Sequence, residues 1–338
     1  MSYTLITGGA GYIGSHICKE LYNKDTNIIV IDNLSKSKIT IWNTLRKICP
    51  KLELYEIDLI NKECIQDIFR KYKIRNVIHL AGFKSINESL QNPLLYYKNN
   101  LLSTINLLEV MEQYNCKNLI FSSSATVYGN QVEVPIKETA TTYNKQTNPY
   151  GKSKLIIEMM LKDFSNNNWN IIILRYFNPV ASDSSGLIGE DPKDEPSNLF
   201  PHIINVYLKK KTKLKIFGNN YKTKDGTCIR DFIHVSDLAV AHIKSIEYLD
   251  NLQDNNCYEI FNIGTGKWYT ILEIVKRFNE LTDNAIEYEF VSRREGDVPF
   301  CFADCSKASK LLDWKSKKTL DDIIKDSINR ADIVKKSD

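Results

Sequence analysis

Hydrophobic positions in the first half of this chain recur with two distinct periods. Short, largely apolar runs at 3–7, 27–31, 52–57, 76–80, 118–122 and 170–174 read as strands, and amphipathic stretches at 40–48, 62–72, 94–114 and 150–166 read as helices between them. A further helix pattern opens directly after Gly14. Strands that are apolar on both sides and alternate with helices of this length predict a parallel, doubly wound α/β sheet covered on both faces. Beyond about residue 177 the regularity stops: loops lengthen at 183–198 and 218–227, and helices and short strands mix irregularly. The chain therefore divides into a larger domain over 1–176 and a smaller mixed α/β lobe over 177–338, with a strand at 258–263 as a candidate to rejoin the main sheet.

Length and composition narrow the class. A chain of 338 residues buries a large core and suits one big domain or two interlocked ones. The 45 basic against 41 acidic residues leave a net charge of +4, and the one dense basic run, KKKTK at 209–213, reads as a solvated helix end, so no nucleic-acid partner is implied. No stretch approaches the roughly 18 apolar residues of a membrane span. The first strand starts at residue 3, leaving no room in this chain for a signal peptide. Eight cysteines with no C-x-x-C pair, and a Cys301-x-x-x-Cys305 spacing without neighbouring histidines, predict reduced thiols in a cytoplasmic protein and no metal.

Candidate chemistry clusters where the strands end. The first strand runs into Gly8-x-x-Gly11-x-x-Gly14 and then a helix. In a dinucleotide-binding βαβ unit such glycines permit a sharp turn, close approach to a pyrophosphate and tight helix packing, while the helix N-terminus receives the phosphates. The second strand ends in Asp32, where a carboxylate accepts hydrogen bonds from the adenine ribose and repels a 2′-phosphate, so NAD is favoured over NADP; Lys36 nearby softens that preference, and an Asp at a strand end is also an ordinary turn residue. By position alone, Asp58, Gly82, Lys84, Ser124 and Tyr176 are further site candidates. Tyr150 and Lys154, four apart at a helix start, project from one face. A phenol titrating near 10 is a poor base at neutral pH, and an ammonium and a nicotinamide cation beside it would lower that value. Ser124 stands at a neighbouring strand end, where its hydroxyl would bridge a substrate oxygen and the tyrosine.

These residues carry a resemblance that runs almost end to end. TGGAGYIGSH at 7–16, IDNLSKSK at 31–38, HLAGFKSINES at 79–89, FSSSATVYG at 121–129, NPYGKSK at 148–154, LRYFNPV at 174–180, GEDP at 189–192, IRDFIHVSDLA at 229–239, FNIGTG at 261–266 and RREGDVP at 293–299 resemble the UDP-glucose 4-epimerase (UDP-galactose 4-epimerase) family of extended short-chain dehydrogenases/reductases. The resemblance implies that tightly held NAD takes a hydride from C4 of a UDP-sugar while Tyr150 removes the 4-OH proton. The 4-keto sugar then turns over, and the hydride returns to its other face. The nucleotide anchors the molecule meanwhile.

Carried across by motif, the cofactor contacts would be Gly8, Gly11, Tyr12, Ile13 and Gly14 at the turn, then Asp32, Asn33, Leu34, Ser35, Lys36 and Ser37 on the adenosine side. Asp58 and Leu59 would line the adenine pocket. Leu80, Ala81, Gly82, Phe83, Lys84, Asn99, Ser124, Tyr150, Lys154, Tyr176 and Phe177 would hold the rest. The UDP-sugar would meet Lys84, Ser122, Ser123, Ser124, Tyr150, Tyr176, Phe177, Asn178, Asn198, Leu199, Lys215, Ile216, Phe217, Arg230, Arg294, Asp297 and Cys301. Guanidinium forks suit a diphosphate, although Arg230 and Arg294 each also read as surface ion-pair partners. His16, His79 and His234 match family motifs and are expected to pack or bond to backbone. Two positions depart from the family pattern: Phe232 replaces a tyrosine, and Cys301 stands where members restricted to UDP-glucose and UDP-galactose hold a tyrosine. A cysteine leaves room for the acetamido group of UDP-GlcNAc and UDP-GalNAc; it also reads as a buried thiol without bearing on specificity. A 4,6-dehydratase of the same superfamily would need Asp-Glu where Ala125 and Thr126 stand, and a UDP-uronate epimerase would need an extra cation at C6. A catalytically silent NAD-binding sensor would commonly lack the intact Ser124, Tyr150 and Lys154. A homodimer through the helices at 94–114 and 150–166 is the family expectation.

Overall fold

In the computed structural model, which describes residues 1–338 apart from 132, 144, 192, 194, 195, 197, 253–255, 284, 295, 296 and 338, the chain opens with β1 (Tyr3–Thr7), α1 (Tyr12–Tyr22), β2 (Ile28–Asp32), α2 (Ile39–Ile48), β3 (Glu53–Glu56), α3 (Lys62–Lys71) and β4 (Ile74–His79). It continues with α4 (Ile86–Gln91), α5 (Pro93–Gln113), β5 (Asn118–Ser124), a 3₁₀ turn (Ala125–Tyr128), α6 (Pro149–Phe164) and β6 (Asn170–Tyr176). The second half comprises β7 (Asn178–Val180), α7 (Leu199–Tyr207), β8 (Leu214–Phe217), β9 (Ile229–Arg230), β10 (Phe232–His234), α8 (Val235–Asp250) and β11 (Cys257–Ile263). It closes with β12 (Tyr269–Thr270), α9 (Ile271–Leu281), β13 (Tyr288–Val291), β14 (Phe300–Cys301), α10 (Ser306–Leu311) and α11 (Leu320–Ser337). Pro192 of the GEDP motif and Glu295 and Gly296 of RREGDVP lie outside the described residues.

Seven strands form one parallel sheet in the order β11-β6-β5-β4-β1-β2-β3, the doubly wound α/β architecture expected. The order reverses between β1 and β4, which opens a crevice above their carboxyl ends. Thr7, His79, Phe121 and Ile173 share one register level, and Ser122–Ser124 and Tyr176 stand one to three residues above it. Alternation along the strands feeds two cores. Ile6, Val30, Ile78, Ile120 and Ile172 pack with α1, α2 and α8 on one face. Leu5, Ile29, Val77, Leu119 and Ile171 pack with α3, α5 and α6 on the other.

The second half returns to this body, with β11 pairing parallel to β6 and α8 packing beside α1. Three small sheets, β7 with β10, β12-β9-β14 and β8 with β13, rest on a third core of Phe200, Ile203, Ile216, Phe232, Val275 and Phe278. The sequence pattern delimits neither α4 nor the helices of the second half, and α4 and α8 show why. α4 spans six residues, too few for a period, and is fixed by Ser85 accepting a bond from the Glu88 amide. α8 buries ten of its sixteen residues, several of them polar, and leaves only a narrow strip with Ser236, Lys244 and Glu247 to mark its period. The KKKTK run follows α7 as an exposed turn and loop.

Candidate active site

The carboxyl ends of β1, β2, β4 and β5 open into a cleft of about 540 Å³. Gly8 ends β1 at φ +70°, and a Cβ there would meet the Ala81 amide nitrogen at 2.8 Å, so only glycine lets this turn touch the chain leaving β4. Gly11 is the N-cap of α1 and has no side chain to cap it. The first-turn N–H groups and the positive dipole end of α1 are therefore available to an anion. Asp32 at the end of β2 accepts bonds from the Ala10 amide at 3.0 Å and the Leu34 amide at 2.8 Å. Burial pushes its carboxyl pKa up, and those two bonds oppose the rise. Asn33 donates to Asp58 at 3.0 Å, tying the ends of β2 and β3 together.

Of the expected cofactor residues, Gly8, Gly11, Tyr12, Ile13, Gly14, Asp32, Asn33, Ser35, Lys36, Ser37, Asp58, Leu59, Leu80–Lys84, Asn99, Tyr150, Lys154 and Tyr176 line the cleft, joined by Ser122 and Ser123. Leu34, Ser124 and Phe177 are not among the lining residues. Leu34 turns the chain at φ +53° and serves Asp32 through its amide. Phe177 is buried with Ala125, Val127 and Tyr128. The expected backbone bonds are seen at His16, to the Tyr12 carbonyl, and at His234, to the Ser236 amide, whereas His79 meets the Thr7 and Thr104 hydroxyls and His234 also meets the Asp326 carboxylate, side chains distant in sequence.

Local sequence fixes the tyrosine–lysine pair. Asn148 caps α6 by accepting from the Gly151 amide at 2.8 Å, Pro149 occupies the first turn, and such a cap contributes about 1 kcal/mol. Gly151 lies so close to the 3₁₀ turn that a Cβ would meet the Thr126 carbonyl oxygen at 2.9 Å, which draws Tyr150 against β5. The Ser124 hydroxyl accepts from the Thr126 amide at 3.2 Å and stands near enough to the Tyr150 phenol to favour its ionised form. Lys154 donates to the Ser122 carbonyl at 2.7 Å and lies 4.7 Å from the Phe121 ring centroid. Burial lowers its pKa to about 7 against the pull of Glu158. The protein's own groups raise the Tyr150 phenol rather than lowering it: burial dominates, and the neighbouring Ser124 hydroxyl only partly offsets it. Lys154 donates to the Ser122 carbonyl and does not offset that rise; the expected depression also calls on the nicotinamide cation. Ser123 is engaged elsewhere, donating to Glu158, which pairs with Arg175 through bonds of 2.6 and 3.0 Å.

Of the expected substrate residues, Lys84, Ser122, Ser123, Tyr150 and Tyr176 line this cleft, and most of the others lie outside its lining and hold contacts within the protein. Arg230 donates to the Ile229 and Val298 carbonyls, both at 2.8 Å, and pairs with Asp297 at 3.3 Å. The Arg294 guanidinium stacks 4.1 Å from the Phe217 ring centroid. Asn178 donates to the Asp231 carbonyl at 2.8 Å, and Cys301 lies opposite Arg230 in register and packs against the cluster around Phe177 and Ala125. Burial pushes the Cys301 thiol up to about 11. Ile216 is buried in the third core and Lys215 is exposed on the other face of β8. Leu199 opens α7, and Asn198 just before it donates to Glu190 at 3.1 Å, the same oxygen that Lys84 contacts at 3.1 Å.

A family model described as GDP-mannose 4,6 dehydratase matches residues 5–327. A UDP-glucose 4-epimerase of Bacillus subtilis (strain 168) is 46% identical over 326 residues, covering 96% of this chain and 95% of that protein. The chain belongs to the UDP-glucose 4-epimerase family. Solved epimerases are similar throughout. That of Bifidobacterium longum, in complex with NAD+ and UDP, has a TM-score of 0.92 at 41% identity and covers 98% of both chains. The UDP-Glc/GlcNAc 4-epimerase of Campylobacter jejuni has a TM-score of 0.84 at 35% identity, covering 98% of this chain and all of that one.

Within this epimerase fold, several residues at the cleft had drawn no assignment from sequence. Glu190, Asp191 and Lys193 join its wall, with Asp191 bound to Lys38 at 2.5 Å and Lys193 donating to the Leu34 carbonyl at 2.5 Å. The GEDP motif held part of that signal. The Tyr221 hydroxyl is buried with no partner among the described residues, in the electrostatic neighbourhood of Asp297 and Arg230. It sits in a long loop that has no periodicity to mark it.

Proposed function

We propose that this protein interconverts UDP-glucose and UDP-galactose by epimerisation at C4, with NAD as its cofactor. The observation that carries this reading is the meeting of Ser124, Tyr150 and Lys154 at the end of β5, followed by Ala125 and Thr126 where an elimination would need an acid–base pair. The cleft suits NAD: α1 has a bare glycine cap for a pyrophosphate, and Asp32 would repel a 2′-phosphate. When bound, NAD supplies the hydride acceptor and donor, and a positive ring beside the phenol.

The chain's residues do the rest. Tyr150 removes the proton of the sugar 4-OH, and Ser124 bridges that oxygen and the phenol. Lys154 favours the phenolate electrostatically. After the 4-keto sugar has turned, Tyr150 returns the proton to the oxygen now presented on its other face. Arg230 and Arg294 hold the diphosphate and keep the ketone from leaving. In this division residues 1–176 bind the cofactor and 177–338 the UDP-sugar, with α8 and β11 supporting the first.

UDP-GlcNAc and UDP-GalNAc are further substrates in this reading. Cys301 is a small side chain beside Phe177, where a tyrosine would fill the space an acetamido group needs, and overpacking costs about 1–3 kcal/mol. The Campylobacter jejuni relative named for UDP-Glc and GlcNAc supports this reading. A homodimer is supported by exposed apolar residues on adjacent α5 and α6, Leu94 and Met159 foremost. Cysteines that are all free support a cytoplasmic location, and no helix among the described residues is long and apolar enough to cross a membrane.

Anomer-resolved product analysis with UDP-galactose and, separately, UDP-GalNAc, without added NAD, tests the whole reading. Conversion of both to gluco epimers is expected. Turnover of UDP-galactose alone would sink the acetamido claim, and no turnover even with NAD would sink the epimerase. Cys301→Tyr should abolish UDP-GalNAc turnover and spare UDP-galactose; equal loss on both would refute the role of Cys301.

A further inference from the structure

We propose that Glu158 and Arg175 are positioning residues for this reaction: their buried ion pair, through Ser123, sets the register of α6 on the sheet, and with it the places of Tyr150 and Lys154 relative to Ser122 and Ser124. The bed beneath α6 is largely apolar, with Ile157 and Leu161 of the helix packed among Leu119 and Phe121 of β5 and Ile171 and Ile173 of β6. Such contacts are non-directional, so they resist a small slide or roll of the helix only weakly. Alternation carries the same sheet face on to Ser123 and Arg175, which are register partners near the ends of β5 and β6. Both meet the helix at one residue. Ser123 Oγ donates to Glu158 Oε1, Arg175 Nε donates to the same oxygen at 3.0 Å, and Arg175 Nη2 donates to Glu158 Oε2 at 2.6 Å. None of the three residues is more than 4% exposed. A forked guanidinium–carboxylate pair fixes distance and direction together, and setting register is the best-attested use of buried polar groups that add little stability.

The anchor stands one step from the chemistry. Ser123 lies between Ser122, whose carbonyl accepts from Lys154 at 2.7 Å, and Ser124, whose hydroxyl is read as bridging Tyr150 and the sugar. Glu158 lies one helical turn beyond Lys154 and two beyond Tyr150. Arg175 also reaches past Ser124. Its guanidinium lies 4.8 Å from the ring centroid of Tyr128, the last residue of the 3₁₀ turn, and its Nη1 donates to the Glu138 carbonyl at 3.2 Å. The pair thus grips β5 on both sides of Ser124 together with the helix that presents Tyr150. Glu158 and Arg175 are not among the residues lining the cleft, so they act through Ser123 and α6.

The inference rests on the acid–base reading of Tyr150, which wild-type turnover of UDP-galactose tests by itself. Glu158→Leu combined with Arg175→Met, purified with its cofactor, exchanges the ion pair for apolar side chains, a change that commonly leaves stability level or raises it. Its Tm and NAD content should therefore not fall below those of the wild type. Its kcat should fall by about 10- to 100-fold, the scale of reacting groups misplaced by up to about 1 Å. That kcat is taken at the plateau of the variant's own pH profile, so that a shifted Lys154 titration does not enter. KM for UDP-galactose should stay within about twofold, the mark of a loss confined to the chemical step. Ser123→Ala leaves the pair in place and cuts only its link to β5, so kcat should fall by less, at the same Tm and KM. Added to the double variant, Ser123→Ala should cost little more, because the carboxylate it served is gone. A kcat within about twofold of wild type in the folded double variant would overturn the proposal, as would a rate lost in step with Tm, NAD content or KM. So would a Ser123→Ala loss that adds in full to that of the double variant. Should the double variant fail to fold, Ser123→Ala decides: a lower kcat at unchanged KM and Tm upholds the proposal, and an unmoved kcat or a raised KM overturns it.

Discussion

In the cofactor cleft, most lining residues stand at or just beyond the end of a strand in one parallel sheet, whereas the residues read as substrate contacts alone, such as Asn178, Lys215, Arg230, Arg294 and Cys301, come from three small sheets and the loops joining them. The first group presents a bare helix N-terminus and backbone amides to a ligand. The second is already paired: Arg230 with Asp297, Arg294 over Phe217, Asn178 on the Asp231 carbonyl. A cleft of the first kind is preformed by sheet geometry and needs few adjustments to bind. A region of the second kind exchanges internal contacts for ligand contacts, which suits a nucleotide sugar that must be held at one end while its hexose turns at the other.

Substitutions that split kcat, KM and cofactor retention put this contrast to the test. The largest effect is expected at the junction of the two regions. Tyr150→Phe removes the acid–base hydroxyl and leaves the ring, so kcat with UDP-galactose should fall by about 10²- to 10⁴-fold, with bound NAD and KM little changed. A Tyr150→Phe enzyme that retained a tenth of the wild-type kcat would remove the phenol from the chemistry. Next in size, Arg230→Ala should raise KM for UDP-galactose by about 10- to 100-fold, the range of a charge-assisted bond. NAD content after gel filtration should be unaltered. Loss of NAD from this variant would mean that the two regions are coupled and the contrast is false. Asp32→Asn is the mirror test. It should weaken NAD retention by about tenfold and ease discrimination against NADP, measured by reconstitution with each dinucleotide, while KM for the sugar holds.

The same contrast explains what the sequence disclosed. The β1–Gly8 turn, Asp32 at its strand end and the Asn148–Lys154 helix start are local motifs whose partners lie within a few residues, so periodicity and spacing expose them. The parallel sheet follows from the same alternation, and even the return of β11 was readable as an apolar run. Arg230, Arg294, Asp297 and Cys301 sit in two-residue strands or loops with no period, and resemblance alone marked them. Glu190 and Tyr221 owe their positions to long-range packing. Tertiary contacts make those residues significant, and no local pattern encodes them.

The smallest effect concerns stability and asks how much the preformed cleft depends on burying its cation. Burial lowers the Lys154 pKa to about 7 in the fold from the 10.5 of an ordinary lysine, which it regains when the chain unfolds. Below pH 7 both states carry the proton, and the fold bears the full cost of burying an ammonium. Between pH 7 and 10.5 the folded lysine has shed its proton while the unfolded one keeps it, so the unfolded state binds more protons and this contribution to stability rises with pH. Lys154→Met removes the charge at similar volume. The variant should therefore melt higher than the wild type at pH 6, and the gap should narrow steadily toward pH 10. A gap that stayed constant over that range would mean that Lys154 keeps its charge in the fold, held by Glu158 and the Ser122 carbonyl, and that the cleft bears no desolvation cost at this position.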